Sequence, residues 1–257
     1  MFGGIPLRTP QELVIMREAG RIVGQVLEQL QAMAKPGVTA LDLDTVAEEF
    51  IRSHGGKPAF KGYQMPGRSP FPATICASIN DGVVHGIPDG QTLAPGDLIS
   101  VDVGVEYQGF FGDTATTISI GPVSDKAAKL MQVCREALDL AIEQMRPGNA
   151  LCKIGETVED HVEANGFSVV RALVGHGIGT ELHQAPEVPH FKTKRYPEFL
   201  MEPGLVLAIE PMINAGGCRV TDTPGEWPVR TADGKLSAHF EHTVAVTPGG
   251  HEILTLP

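Results

Sequence analysis

The 257-residue sequence lacks the features of a secreted or membrane-spanning protein. Its four cysteines form no CxxC pair, which argues against a disulfide framework and favours reduced thiols. No apolar run approaches the roughly 18 residues of a membrane span. The N-terminal stretch MFGGIPLRTPQELVIM lacks the cationic and apolar regions of a signal peptide. We therefore expect a cytoplasmic protein.

Basic residues are scarce as well. Lys and Arg together number 20 against 31 Asp and Glu, a formal net charge of −11, and no Lys/Arg-rich run occurs. Nucleic acid and anionic membranes are therefore not expected partners. Hydrophobic residues make up 42% of the chain, as in ordinary globular proteins, and its length allows a substantial core. Part of the acidic excess can instead face inward and bind cations.

Nucleotide-binding and helical zinc-protease motifs are also missing. The stretch GHGIGTELH (175–183) comes nearest to a phosphate loop, but Thr180 stands where GxGxxG needs its third glycine. Neither GxxxxGK[ST] nor HExxH occurs. Two readings remain open for this stretch: a glycine-rich turn that happens to contain histidines, or a loop that aims an imidazole at a cation.

Helix and turn signals divide the chain into ordered elements. Thr9-Pro10-Gln11-Glu12 is a capping box and predicts a helix to about residue 34, followed by a second over about 40–54. Strands are predicted at 74–80, 98–105 and 112–120, the last two as a hairpin. Two more helices follow, from Asp125 to about Met145 and then up to Gly166.

The second half of the chain repeats the order of the first. Pro36-Gly37 aligns with Pro147-Gly148, and APGDLISVDV (94–103) aligns with EPGLVLAIEP (202–211). The strand alignments place Asp102 opposite Glu210, and Asp113 opposite Glu241. We therefore predict an α+β fold of two related halves, roughly 9–121 and 124–257, that form a single catalytic domain over residues 1–257.

Four carboxylates within apolar strands call for a cation. A buried ionised carboxylate must be paired, protonated or bound to metal. If Gln108-Gly109 is a two-residue turn, Asp102 lies opposite Ala115 and Asp113 is its diagonal neighbour, about 7–8 Å away. Two divalent cations would neutralise four carboxylates, and oxygen-rich sites with an imidazole suit Mn, Fe, Co or Zn. Such a pair supports hydrolysis.

Three of the nine histidines are candidates for this site. His176, between glycines, is the candidate nitrogen ligand, and His183 the candidate hydrogen-bond donor to substrate. His85, in DGVVHGIP, is suited to contact a scissile amide. His239 and His242 flank Glu241, where either a supporting or a purely structural role is open. We assign His54, His161, His190 and His251 surface or structural roles.

Taken together, these motifs resemble the type I methionine aminopeptidases. The resemblance rests on VDVG…GDTA, GHGIG, AIEPM and FEHT and extends over nearly the whole chain. It implies the pita-bread fold, two pseudo-symmetric α/β halves around a curved antiparallel sheet. It also implies removal of the initiator methionine from nascent polypeptides, preferentially before a small residue, by a hydroxide that bridges two divalent metal ions.

The resemblance also implies residue roles. The metal ligands would be Asp102, Asp113, His176, Glu210 and Glu241. Glu210 would in addition shuttle protons, and His85 and His183 would contact substrate and assist catalysis. The methionine pocket would contain Phe60, Tyr63, Cys76 and Trp227. Phe60 and Leu182 depart from the residues common in the family, and the segment from Met65 to Thr74 is longer than usual, so the pocket's shape is left open.

Two other functions compete with this one. An Xaa-Pro aminopeptidase or dipeptidase would share the metal site, but those enzymes carry a large N-terminal domain, and Asp102 comes too early for one. A non-catalytic pita-bread peptide-binding protein would be expected to lose ligands, and all five are present. The expected partners are N-terminal methionines of peptides and nascent proteins, with the ribosome as a further candidate, and we expect a monomer.

Overall fold

A computed structural model describes residues 4–195 and 199–257. It contains the helices α1 (Pro10–Met33), α2 (Ala40–Ser53), α3 (Asp125–Ile142) and α4 (Cys152–Ala164). The strands are β1 (Lys57–Pro58), β2 (Ile75–Ile79), β3 (Gly82–Val84), β4 (Leu98–Tyr107), β5 (Phe110–Ser119), β6 (Ser168–Val169), β7 (Gly175–Gly177), β8 (Gln184–Val188), β9 (Val206–Ile209), β10 (Met212–Asn214), β11 (Val220–Asp222), β12 (Val229–Thr231), β13 (Ser237–His239), β14 (Glu241–Thr247) and β15 (Gly250–Ile253). The predicted α+β class is confirmed.

Capping boxes begin the first two helices. The Thr9 hydroxyl accepts from the Glu12 N–H at 3.3 Å, and the Glu12 carboxylate accepts from the Thr9 N–H at 2.7 Å. Thr39 and Asp42 repeat this arrangement at α2. Each box satisfies backbone donors that a helix N-terminus otherwise leaves without partners. The predicted helix positions are confirmed, although α3 ends at Ile142, three residues earlier than expected.

A nine-stranded antiparallel sheet joins the two parts of the chain. Its order is β1-β4-β5-β14-β9-β7-β8, with β2 also on β4 and β15 also on β14. Pairing of β5 with β14 brings the N-terminal and C-terminal strands together. The interpretation of 9–121 and 124–257 as related halves stays a prediction.

The predicted hairpin register is confirmed. Gln108 and Gly109 both have positive φ, 49° and 82°, as a two-residue type I′ turn requires. This turn pairs Asp102 with Ala115 on β5, and Ala115 pairs in turn with Glu241 on β14. Asp113 lies two residues from Ala115 on the same face. Asp102 and Glu241 therefore lie in one row of paired residues across three strands, and Asp113 lies beside this row.

Alternation along β4 separates the core from the site. Ile99, Val101 and Val103 are buried in the hydrophobic core that includes residues of α1 and α2. Because successive side chains in a strand point to opposite faces, Asp102 projects to the other side of the sheet. A second core joins α3 and α4 to β9 and β14. Within residues 4–195 and 199–257, no helix is long and apolar enough to cross a membrane.

Candidate metal centre

All the residues predicted for the site line one cavity of about 390 Å³. These eleven residues are Phe60, Tyr63, Cys76, His85, Asp102, Asp113, His176, His183, Glu210, Trp227 and Glu241. They come from both parts of the chain and from strands, strand ends and loops. The structure therefore brings the predicted set together around one space large enough for an amino-acid side chain and a peptide bond.

Threonine hydroxyls fix the backbone that carries the carboxylates. The Asp113 N–H donates to the Thr243 hydroxyl at 3.0 Å, and that hydroxyl donates to the Asp113 carbonyl at 2.8 Å. The Thr114 hydroxyl donates to the Glu241 carbonyl at 2.7 Å. Asp113 and Glu241 are 3% and 2% exposed, so the strands hold both acids away from bulk water.

His176 and Glu210 approach the same space from β7 and from the end of β9. The His176 Nε2 atom lies 3.4 Å from a Glu210 carboxylate oxygen. Its Nδ1 atom lies 3.0 Å from the Gly177 carbonyl oxygen. Because a carbonyl only accepts, Nδ1 carries the proton and Nε2 presents a lone pair to the cavity, as a metal ligand must.

Burial perturbs every acid in the cluster. It raises the pKa of Asp102 to about 7. Burial, and then the neighbouring carboxylates, hold the pKa values of Asp113, Glu210 and Glu241 well above their ordinary range. Burial also lowers the pKa of His176 to about 3, so its imidazole is neutral at physiological pH. The site therefore combines acids that resist ionisation with a neutral nitrogen donor.

The donor set fits divalent cations. One oxygen each of Asp102, Asp113 and Glu241 is buried without a hydrogen-bond partner among the described residues. Ligand atoms of Asp113, His176 and Glu241 lie within 4.8 Å of one another. Buried polar atoms are normally satisfied, and bound cations would satisfy these.

A second group of potential ligands includes His239, whose role the sequence left open. Its ligand atom and those of Glu210 and Glu241 also lie within 4.8 Å of one another. His239 Nε2 lies 3.9 Å from a carboxylate oxygen of each acid, and Thr117 hydrogen bonds to the His239 backbone. His190, assigned a surface or structural role, is buried and accepts the Glu210 N–H at 3.1 Å.

His85 and His183 lie on the substrate side of the cavity. His85 has a φ of 58°, a conformation uncommon outside glycine, and its buried Nδ1 has no hydrogen-bond partner among the described residues. Burial, and then His183 and Arg68, lower the His85 pKa to about 4. His183 Nδ1 hydrogen bonds to the Tyr63 hydroxyl at 2.7 Å, and its ring centroid lies 4.3 Å from that of His176. Both imidazoles can therefore contact a peptide at the carboxylate cluster.

Aromatic side chains form an apolar pocket beside these histidines. Phe71 packs edge-on against Trp227, with ring centroids 5.3 Å apart, and against Phe60 at 6.5 Å. Phe71 and Met65 also line the cavity, although the sequence identified neither. They lie in a segment without helix or strand, where no periodic pattern indicates which side chains face inward. Leu182 is buried among the same aromatic residues.

Comparison with known proteins agrees with this geometry. The model of metallopeptidase family M24 matches residues 14–248. A methionine aminopeptidase of Clostridium perfringens is 47% identical over 253 residues, which are 98% of this chain and 99% of the relative.

Solved structures show the same fold. A methionine aminopeptidase structure from Thermotoga maritima has a TM-score of 0.93 and 39% identity and covers 99% of this chain and 100% of its own. An Xaa-Pro dipeptidase from Bacillus anthracis, at 24% identity and a TM-score of 0.74, shares the fold over 97% of this chain but only 61% of its own. The predicted pita-bread fold is confirmed. The chain therefore belongs to metallopeptidase family M24 and, within it, to the methionine aminopeptidases.

Proposed function

We propose that this protein removes the N-terminal methionine from polypeptides, preferentially when the next residue is small. One observation supports the proposal most strongly. A single cavity contains both a buried carboxylate cluster with a neutral imidazole and, beside it, an apolar aromatic pocket. Relatives named methionine aminopeptidase match nearly the full length of the chain. The activity is that of a metal-dependent exopeptidase.

Asp102, Asp113, His176, Glu210 and Glu241 would hold two divalent metal ions. When bound, such ions polarise the scissile carbonyl and lower the pKa of water, which supplies a nucleophile at neutral pH. Co, Mn, Fe and Zn all suit carboxylate oxygens with one imidazole, so the donor set does not select among them. The unpartnered buried oxygens support this assignment.

The remaining residues would bind and orient the substrate. His183, held by Tyr63, would donate a hydrogen bond to the carbonyl oxygen of the scissile peptide and stabilise the oxyanion that develops there. His85, with its unpartnered Nδ1, would contact the scissile amide from the side of the substrate's free amine. Glu210 would carry a proton from the attacking water to the leaving amine.

The methionine side chain would occupy the apolar pocket. Phe60, Tyr63, Cys76 and Trp227 line it, and a flexible thioether packs well against aromatic edges. Burial, and then the nearby carboxylates, raise the pKa of the Cys76 thiol far above its ordinary value. Cys76 therefore acts as a small apolar wall residue and not as a nucleophile.

An Xaa-Pro peptidase shares the fold but is disfavoured here. The Xaa-Pro dipeptidase of Bacillus anthracis is 24% identical to this chain, whereas the methionine aminopeptidase of Clostridium perfringens is 47% identical. A non-catalytic peptide-binding protein is also disfavoured, because all the expected ligands line the cavity. We further propose that residues 1–257 form one catalytic domain and that the protein acts as a cytoplasmic monomer on nascent chains, with the ribosome as a further candidate partner.

A peptide panel tests the proposed function. The protein is stripped of metal, reconstituted in turn with Co²⁺, Mn²⁺, Fe²⁺ or Zn²⁺, and incubated with Met-Gly-type, Met-Leu-type and Xaa-Pro-type peptides. We expect release of methionine, faster from Met-Gly than from Met-Leu peptides, with at least one metal. Cleavage of only the Xaa-Pro peptides would instead identify the competing activity.

A further inference from the structure

One wall of the apolar pocket is a segment without helix or strand, residues 62–71 (GYQMPGRSPF), which we call the strap. Its two ends are joined by backbone hydrogen bonds. The Gly62 N–H donates to the Phe71 carbonyl at 2.8 Å, and the Phe71 N–H donates to the Tyr63 carbonyl at 2.9 Å. The strap is therefore a closed loop that carries Tyr63, Met65 and Phe71 into the cavity lining.

The far end of the strap contacts Trp227 on a distant part of the chain. The Trp227 indole N–H donates to the Ser69 carbonyl at 2.8 Å. The Arg68 guanidinium carbon lies 5.3 Å from the centre of the Trp227 ring, within the range of a cation–π interaction. These two contacts attach the strap to the opposite pocket wall.

Asp222, on β11, holds the guanidinium in this position. An Arg68 Nη2 atom donates to an Asp222 carboxylate oxygen at 3.3 Å. The Arg68 side chain is only 16% exposed, whereas that of Asp222 is 61% exposed. Arg68 is thus largely enclosed between its carboxylate partner and the indole ring. Arginine suits this position because its flat guanidinium can stack on a ring and bind a carboxylate at the same time.

Trp227 links this contact to the substrate-binding residues. Its ring packs edge-on against Phe71 at 5.3 Å and against His85 at 6.2 Å. A shift of the indole ring would therefore change both the pocket and the environment of His85. Arg68 itself is not among the residues that line the cavity, so its packing affects the pocket through Trp227, while its charge also lowers the pKa of His85.

We propose that Arg68 is a positioning residue that sets the shape of the side-chain pocket by clamping Trp227 to the strap, with Asp222 orienting its guanidinium. The proposal rests on the proposed function for the identity of the side chain that fills the pocket. Because the clamp acts on the pocket and not on the carboxylate cluster, its loss weakens substrate binding and leaves the chemical step largely intact.

The experiment uses Trp227 as its own reporter, since it is the only tryptophan in the chain. In Arg68→Ala we expect red-shifted indole emission, stronger quenching by acrylamide, and a KM for a Met-Gly-type peptide raised about fivefold with kcat within about twofold. Arg68→Lys, which keeps the charge without the planar guanidinium, should restore part of the KM and of the emission. Asp222→Asn should give an emission maximum and a KM between those of the parent and those of Arg68→Ala.

Arg230→Ala is the matched control. Arg230 pairs with Asp81 at 2.8 Å, and neither residue is among those lining the cavity. We expect parental emission and kinetics from this variant. Parental emission and KM in Arg68→Ala would overturn the proposal, as would a fall in kcat at unchanged KM.

Folding and function are tested separately. If Arg68→Ala does not fold, parental emission and KM in both Arg68→Lys and Asp222→Asn overturn the clamp. If the metal-loaded parent releases no methionine, the proposed function fails, but the emission and quenching of the same variants still test the clamp. If the parent releases methionine but the variants have the parent's fluorescence, the clamp is contradicted and the proposed function is not.

Discussion

Replacing Asp102 with asparagine should stabilise the metal-free protein at alkaline pH while weakening its response to metal. Burial raises the Asp102 pKa to about 7, against 3.8 for an ordinary aspartate. Between these values the folded protein binds a proton that the unfolded chain lacks. The parent's free energy of unfolding therefore rises as pH falls through this window and is lowest above pH 7.

The size of the effect follows from the same values. One pKa unit corresponds to about 1.4 kcal/mol, so ionising Asp102 within the fold costs the metal-free parent about 4 kcal/mol above pH 7. Asparagine keeps the shape without the charge and does not titrate. The stability advantage of Asp102→Asn over the parent should then shrink between pH 8 and pH 5, by at most about 3 kcal/mol, because Asp102 titrates together with the neighbouring carboxylates.

Urea unfolding in the presence of a chelator measures this difference. Circular dichroism would follow both proteins at several pH values, with Glu28→Gln as the control because that carboxylate is exposed and forms no ion pair among the described residues. We expect the control to track the parent at every pH. A difference in the free energy of unfolding between Asp102→Asn and the parent that is constant from pH 8 to pH 5 would refute the claim that burial raises the pKa of this acid.

Two further predictions concern a catalytic contact and a packing contact. His183→Ala should retain bound metal, measured by elemental analysis, but lose about 10²–10⁴-fold in turnover, and a parental rate would contradict the role given to His183. Gly20→Ala places a Cβ against the Leu254 carbonyl oxygen and should lower the free energy of unfolding by about 1–3 kcal/mol. Gly249→Ala, which meets no atom within 4 Å, should not, and equal losses in the two variants would contradict this reasoning.

The fold was predictable wherever local chemistry dictates geometry. Capping boxes at Thr9 and Thr39 fix the starts of two helices, and the Gln108-Gly109 turn fixes the hairpin register. That register places Asp102 and Asp113 on one face of the sheet, so part of the site follows from a two-residue turn. Carboxylates inside apolar strands are anomalous enough to be noticed without a structure.

Other parts of the site depend on contacts that no local pattern encodes. The sequence around His190 and His239 does not distinguish them from surface histidines, yet the fold buries both beside Glu210. Phe71 and Arg68 belong to a strap that contacts Trp227, whose indole N–H donates to the Ser69 carbonyl across a sequence separation of 158 residues. Alternating or helical spacing predicts which face a residue occupies in a regular element, but an irregular loop offers no such rule.

Methionine release during metal titration tests the central claim most directly. The metal-free protein would be titrated with Mn²⁺ or Co²⁺ while free methionine from a Met-Gly-type peptide is quantified. We expect no release in chelator, a rise as cation is added, and saturation by about two equivalents, because two divalent cations balance the charge of four carboxylates. Equal methionine release with and without chelator would contradict it.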